Sequence, residues 1–209
     1  MKHSFRKWSV VLTVLTLIIS ACSKNSNPKA SLDSLPGTVV LEWNEVAYEA
    51  FGGPAYVNSL MASRINAMVH IAMHDAVNGV DERYHRYVFK GKDEKANPIA
   101  AAAAAAHAVL IHEIPERKSF IDSALQKTLK GIVPGEARER GLALGIAAAQ
   151  ALLENRKDDG SAGEFMSPVP VSNQPGVYQA VPPFDGMVVP FWENVKLFSL
   201  ERKDQFRCP

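Results

Sequence analysis

The stretch SRINAMVHIAMHDAVNG, Ser63 to Gly79, decides what kind of fold this is. Counted from Met61 just upstream, Ile65, Met68 and Ala72 recur at offsets of four, seven and eleven, the period of one helical face and not the alternation of a strand. The spacing predicts a helix from about Val57 to Asn78, with Gly79 as its C-terminal cap. Set into this helix are a Ser63-Arg64 pair, His70 and His74 four residues apart, and Asp75. Residues four apart on a helix are neighbours, so His70 and His74 could hold one divalent ion with Asp75 as a third or supporting ligand. The metalloprotease arrangement needs glutamate directly after the first histidine, and Ile71 stands there. The preferred reading makes the histidines and the aspartate hydrogen-bonded groups at a helix interface, because buried polar groups need partners.

Working outward, helices continue on both sides. LEWNEVAYEAF, Leu41 to Phe51, sets Leu41, Val46, Tyr48 and Phe51 among acids, a short helix stopped by Gly52, Gly53 and Pro54. After Pro98 the alanine run Ala100 to Ala106 predicts a third helix reaching Ile114; with almost no side chain it can approach its neighbours closely, which suggests a central position. Pro115 and Glu116 open a fourth helix with Phe120, Leu125 and Leu129 inward and Gly131 at its end. A fifth follows Pro134, with Leu142, Ile146, Ala149 and Leu153 as its apolar stripe and Arg156 and Lys157 in the last turn, where they suit the helix dipole. Gly141 and Gly145 repeat at four, a face for close helix crossing.

The remaining candidates for chemistry are weak. GVDERYHRYVFKGKDEKANP interleaves bases with Tyr84, Tyr87 and Phe89, a pattern compatible with nucleic-acid stacking. With 23 basic and 22 acidic residues the chain has no polyanion-attracting surplus, so a solvated loop pinned by its aromatics is expected and a nucleic-acid partner is not. His107 and His112 are five apart, which turns their rings about 140° from one another on a helix; they and Glu113 read as packing and surface groups. In Asp159-Gly160-Ser161-Ala162-Gly163 the glycine directly precedes the serine, so this is a flexible loop and not a nucleophile elbow.

From Ser161 onward helical periodicity ends. The segment is rich in proline yet carries Tyr178, Phe184, Phe191, Trp192, Phe198 and Phe206, residues that drive collapse, so it is expected to lie across an apolar surface. Five helices have limited surface to offer it. The expectation is a segment that packs on a partner, or a chain that ends before its fold is complete.

The other end reads as an export signal. Lys2, His3, Arg6 and Lys7 precede an apolar run from Trp8 to Ile19 ending in small residues. Ile19-Ser20-Ala21-Cys22 resembles a bacterial lipobox, which implies a signal peptide over residues 1–21, acylation of Cys22, and a polar tether over 22–39 that lets a domain at 40–209 stand off the lipid. Ser23 in place of aspartate favours the outer membrane in a Gram-negative envelope. Cys208 is then the one thiol left, which excludes an intrachain disulfide and reads as a bystander.

Taken together, LEWNEVAYEAF, RINAMVHIAMHDAVNGVDERYHRYVF, ANPIAAAAAAAHAVL, GEARERGLALGIAAAQALL and PGVYQAVPPFDGMVVPFWENVKLFSLERKDQFRCP resemble the secreted bacterial vanadium-dependent haloperoxidase group of the type 2 phosphatidic acid phosphatase superfamily. The resemblance covers most of residues 40–209 and implies an all-α protein whose N-terminal helices support a C-terminal bundle that binds vanadate or phosphate. In that bundle Lys-x6-Arg-Pro, Pro-Ser-Gly-His and Ser-Arg-x5-His-x3-Asp follow in order: cations neutralise the oxyanion, a backbone N–H reaches it, and a histidine attacks phosphorus or ligates vanadium. This chain departs from the pattern. Pro-Ser-Gly-His is absent, Lys196 and Arg202 are one residue too close with Lys203 where proline belongs, and Ser63-Arg64 is followed by His70 and then His74 in place of aspartate, with Asp75 one step late. On a continuous helix Arg64 and His70 are about 9 Å apart along the axis and on different faces.

The expected fold is therefore an all-α bundle of about five helices with an extended proline- and aromatic-rich C-terminal segment, an incomplete haloperoxidase-like fold. The expected function is the scaffold portion of such a lipoprotein, anchored to the membrane through Cys22, with no catalytic residues and no cofactor of its own; vanadate would belong to the complete protein, and a partner chain or C-terminal half would supply the pocket. Two alternatives are a non-catalytic envelope lipoprotein binding a partner protein through the aromatic segment, and a small metalloprotein using His70, His74 and Asp75.

Overall fold

The structure, a computed structural model, describes residues 37–55, 58–169, 172 and 174–208. The expected signal peptide, Cys22 and nearly all of the tether lie outside them. Five α-helices carry the fold: α1 (Thr38–Ala50), α2 (Ser59–Val80), α3 (Pro98–Glu113), α4 (Lys118–Lys130) and α5 (Glu136–Arg156). α1 begins at Thr38, not Leu41, so it takes Thr38 and Val39 from the expected tether. The protein is mostly helical, as the periodicity predicts, with one addition the sequence reading lacked. Strands β1 (Met166–Pro168) and β2 (Gly186–Val188) pair antiparallel, Met166 opposite Val188 and Pro168 opposite Gly186. Strands of three residues, one of them ending in proline, leave no alternation to detect.

Local sequence explains where the helices begin. The Asn58 side chain accepts the Met61 N–H at 3.1 Å, and Asn97 accepts that of Ala100 at 2.9 Å, with Pro98 at the first helical position where no donor is needed. α2 ends differently from expectation. It runs on through Gly79 to Val80, and Gly79 serves close approach instead of capping: a Cβ there would lie 3.0 Å from the Gly91 carbonyl oxygen.

α3 is the centre, as its alanines predict. Ala100 to Ala106 are all buried, and α3 touches each of the other four helices. Its closest partner is α5, which presents Gly141 and Gly145. A Cβ on Gly141 would lie 2.5 Å from the Asn97 carbonyl oxygen and 2.9 Å from the Ala100 Cβ, and one on Gly145 would collide with the Ala101 carbonyl. The two helices therefore meet backbone to backbone.

That contact corrects the expected stripe of α5, of which Ala149 is fully buried as expected. Gly141, Leu144, Gly145, Ala148 and Leu152 face inward, whereas Ile146 is 42% exposed and Leu142 and Leu153 sit at the margin. Shape decides the rotation, because only the small-residue face fits against a helix of alanines. On α4 the anchor is Ile121, fully buried, while Phe120 is 38% exposed beneath the Arg117 guanidinium, 5.2 Å from its ring centre. α1 contributes Trp43, Ala47 and Ala50 to the core.

Candidate functional site

The polar residues of α2 fall into two groups. The first faces the loop that follows the helix. Asp75, 1% exposed, accepts the backbone N–H groups of Tyr87 at 2.6 Å and of Val88 and Phe89 at 2.8 Å each. Asn78 accepts those of Arg83 and Tyr84 at 3.1 and 2.9 Å, and the His74 Nε2 sits 3.0 Å from the His85 carbonyl oxygen. The loop is thus held by its own backbone on α2. Its aromatics matter less than expected: Tyr84 is 69% exposed, and only Phe89 packs on the core.

His70 stands apart. Its Nε2 lies 3.3 Å from the Asn44 side-chain oxygen on α1, and burial pushes its pKa below the ordinary histidine value. His70 therefore addresses α1 while His74 and Asp75 hold the loop after α2, and among the described residues no group of three or more His, Cys, Asp or Glu is placed to share a metal ion. His107 meets Asp122 at 2.7 Å across α3 and α4, and Lys118 binds the same carboxylate; Lys118 first and His107 second hold the Asp122 pKa below its usual range.

The second group is a buried charge cluster where α2, α3 and α5 converge. Arg64 donates from Nε to Asp159 at 2.9 Å and from Nη1 to Glu113 at 2.8 Å, with its side chain 6% exposed. Arg156 donates to the same Asp159 oxygen from Nε at 3.0 Å and approaches it with Nη2 at 2.8 Å. Burial opposes the charges of Arg64 and Asp159. For Arg64 the bonds to Asp159 and Glu113 more than offset it and raise the pKa, and for Asp159 the bonds from Arg64 and Ser161 outweigh it and lower the pKa. Two guanidiniums and two carboxylates balance.

Sequence reasoning missed this cluster. Arg156, read as a last-turn cation that suits the helix dipole, does stand in the last turn but is fully buried, its guanidinium 3.9 Å from the Phe198 ring centre and donating to the carbonyls of Lys196 at 2.7 Å and Leu197 at 3.2 Å. The loop expected to be flexible is an ordered junction. Asp158 and Gly160 take left-handed backbone, φ 53° and 87°, and between them Asp159 turns inward, its Oδ1 accepting the Ser161 N–H at 3.1 Å. The available signal was the Asp-Gly-Ser sequence itself, which favours a carboxylate-capped turn.

The junction also fastens the C-terminal segment. The Lys196 N–H donates to the Asp159 carbonyl at 2.8 Å and its Nζ to the Asn155 carbonyl at 2.8 Å, while Phe198 packs on the core. Two open clefts share Arg64 as a wall: one of about 710 Å³ between Met61, His112, Glu154 and Ser161, and one of about 1020 Å³ between Ala67, Trp192, Phe198 and Arg207. Cys208 is exposed and free. Among the described residues no single helix is long and apolar enough to cross a membrane. Compared with known proteins, the chain matches no family model, no curated protein and no solved structure.

Proposed function

We propose that this chain is the lipid-anchored helical scaffold of a haloperoxidase-like or phosphatase-like envelope protein, and that a second polypeptide or further sequence supplies the oxyanion pocket. The observation that carries the reading is the occupation of Arg64. A vanadate or phosphate site needs cations whose charge is uncompensated, and Arg64 spends two of its nitrogens on Glu113 and Asp159. Those carboxylates stand where an oxyanion would need positive groups, and His70 turns to Asn44 on α1. The residues present do not fit vanadate.

The test is halide oxidation with vanadate and peroxide, alongside phosphate-ester hydrolysis, on the purified chain. Neither is expected above background. Vanadate-dependent turnover that disappears in a folded Arg64→Ala variant overturns the proposal.

A second reading is a non-catalytic lipoprotein that binds a partner protein through its C-terminal aromatic residues. It is favoured by Phe206, 80% exposed, and Leu200, 40% exposed, on the segment that Arg156 fastens to the bundle.

A further inference from the structure

The antiparallel pair β1–β2 is the base of an arm. Between Glu164 and Asp185 the chain has no charged residue and no histidine, and five of its residues are proline. Among its described residues Tyr178 is 54% exposed, Val181 67% and Phe184 69%, and at the base Phe165 and Met166 are each 47% exposed and Val188 53%. Met166 and Val188 are paired across the ribbon, so their exposed side chains share a face. An uncharged run with this much exposed apolar surface marks a contact surface.

We infer that this arm docks on the headgroup layer of the bilayer that anchors the chain, with Tyr178, Val181 and Phe184 at the lipid interface. The inference rests on the lipid-anchored part of the proposed function. Reach is one argument. Cys22 and Gly37 are separated by 14 residues, and a chain of that length spans at most about 50 Å, so acylation at Cys22 keeps the fold within that distance of lipid. Tethering of this kind gives effective concentrations of about millimolar, enough to populate a contact too weak to form from free solution.

Composition is the second argument. Prolines have no N–H to desolvate, so this proline-rich stretch carries fewer donors to the interface than an ordinary run of the same length would. Tyrosine suits the headgroup level, with its ring toward the acyl chains and its hydroxyl toward water. A run with no charges brings no side chain whose burial there would need a counter-ion. A β-augmenting protein partner fits less well, because Pro168 interrupts the β1 edge and the β2 edge is only three residues long.

The test uses the mature, lipidated full-length chain in phosphatidylcholine vesicles, with Trp192→Phe removing the half-buried tryptophan and Tyr178→Trp placing a reporter on the arm. Trp43, fully buried, is the internal control. The expected result is that vesicle reconstitution blue-shifts the new emission, makes it several-fold less accessible to aqueous acrylamide, and lets doxyl-labelled lipid quench it. Val181→Ser with Phe184→Ser is expected to reverse all three without changing the circular dichroism. Unchanged acrylamide access in vesicles overturns the proposal, and so does equal protection in detergent-free solution accompanied by dimers in sedimentation, which assigns the arm to a second copy. Intact mass reports acylation separately: an acylated chain with an accessible reporter sinks the arm and leaves the anchor standing. An unacylated Cys22 sinks the anchored reading, and quenching at high lipid concentration then decides the arm by itself.

Discussion

Asp75 shows how one side chain can fix a whole loop. Three consecutive backbone N–H groups, at Tyr87, Val88 and Phe89, find their acceptor in its carboxylate, and none has an alternative acceptor in a helix or ladder. Asp75→Ala is expected to cost about 3 kcal/mol in urea unfolding and to open residues 83–92 to proteolysis, since losing a charged acceptor leaves partly buried donors unsatisfied. A variant as stable and as protease-resistant as the parent would contradict that role. His70 gives the pH dependence. Burial holds its pKa below the unfolded value of about 6.5, so the fold prefers the neutral ring. Its stabilising contribution is complete above the unfolded pKa and is lost as pH falls through the folded one. The melting temperature should therefore drop on going from pH 7 to the acid side of the histidine range, and drop less in His70→Gln; equal drops in both proteins would remove His70 from the account. At this scale the identity of the polar residues could be read in SRINAMVHIAMHDAVNG, but their partners could not. The partners of Arg64, His70, His74 and Asp75 lie on other elements, and Asp75 serves a loop 12 to 14 residues later in the chain.

At the scale of elements the central contact is α3 against α5. Alanine is ordinarily a better helix former than glycine, so Gly145→Ala would stabilise an isolated helix by roughly 1 kcal/mol. Here the added methyl meets the Ala101 carbonyl and the Ala104 Cβ, and overpacking of this kind costs about 1–3 kcal/mol. The expected net effect is a lower unfolding midpoint for Gly145→Ala and, by the same contact, for Gly141→Ala. Ile146→Ala, on the exposed side of the same helix, should stay within about 0.5 kcal/mol of the parent. A stabilised Gly145→Ala would show that the two helices do not meet at backbone distance. The close-crossing glycines and the central alanine helix were legible in the sequence. The rotation of α5 was not, because Leu142, Ile146 and Leu153 satisfy helical periodicity as well as the true face does, and hydrophobicity alone does not know the shape of its partner.

For the whole molecule, Asp159 is the junction where three helices and the C-terminal segment are tied together. Removing it leaves Arg64 and Arg156 facing one another in a buried site with only Glu113 to balance them. Asp159→Ala is expected to destabilise by about 3–5 kcal/mol, the cost of breaking a buried ion pair, and to raise protease sensitivity around residues 190–198 before the helices unfold. Arg64→Ala, which leaves the Arg156–Asp159 pair intact, should cost less and leave that segment protected. If the two variants behave alike, the segment is not fastened through Arg156.

The sequence by itself determined the helices, their order and the central place of the alanine run, because periodicity, caps and side-chain volume are local properties that every residue carries. It also carries the departure of Ser63-Arg64, His70 and His74 from the spacing of the family motif they resemble. Only the tertiary structure decided which face of α5 is inward, that Arg156 is buried, and that Arg64 is spent on Glu113 and Asp159. The Arg64 outcome depends on pairs separated by 49 and 95 positions in the chain and the Arg156 outcome on carbonyls 40 and 41 positions away, and a buried charge reveals its purpose only through the partner that makes burial tolerable.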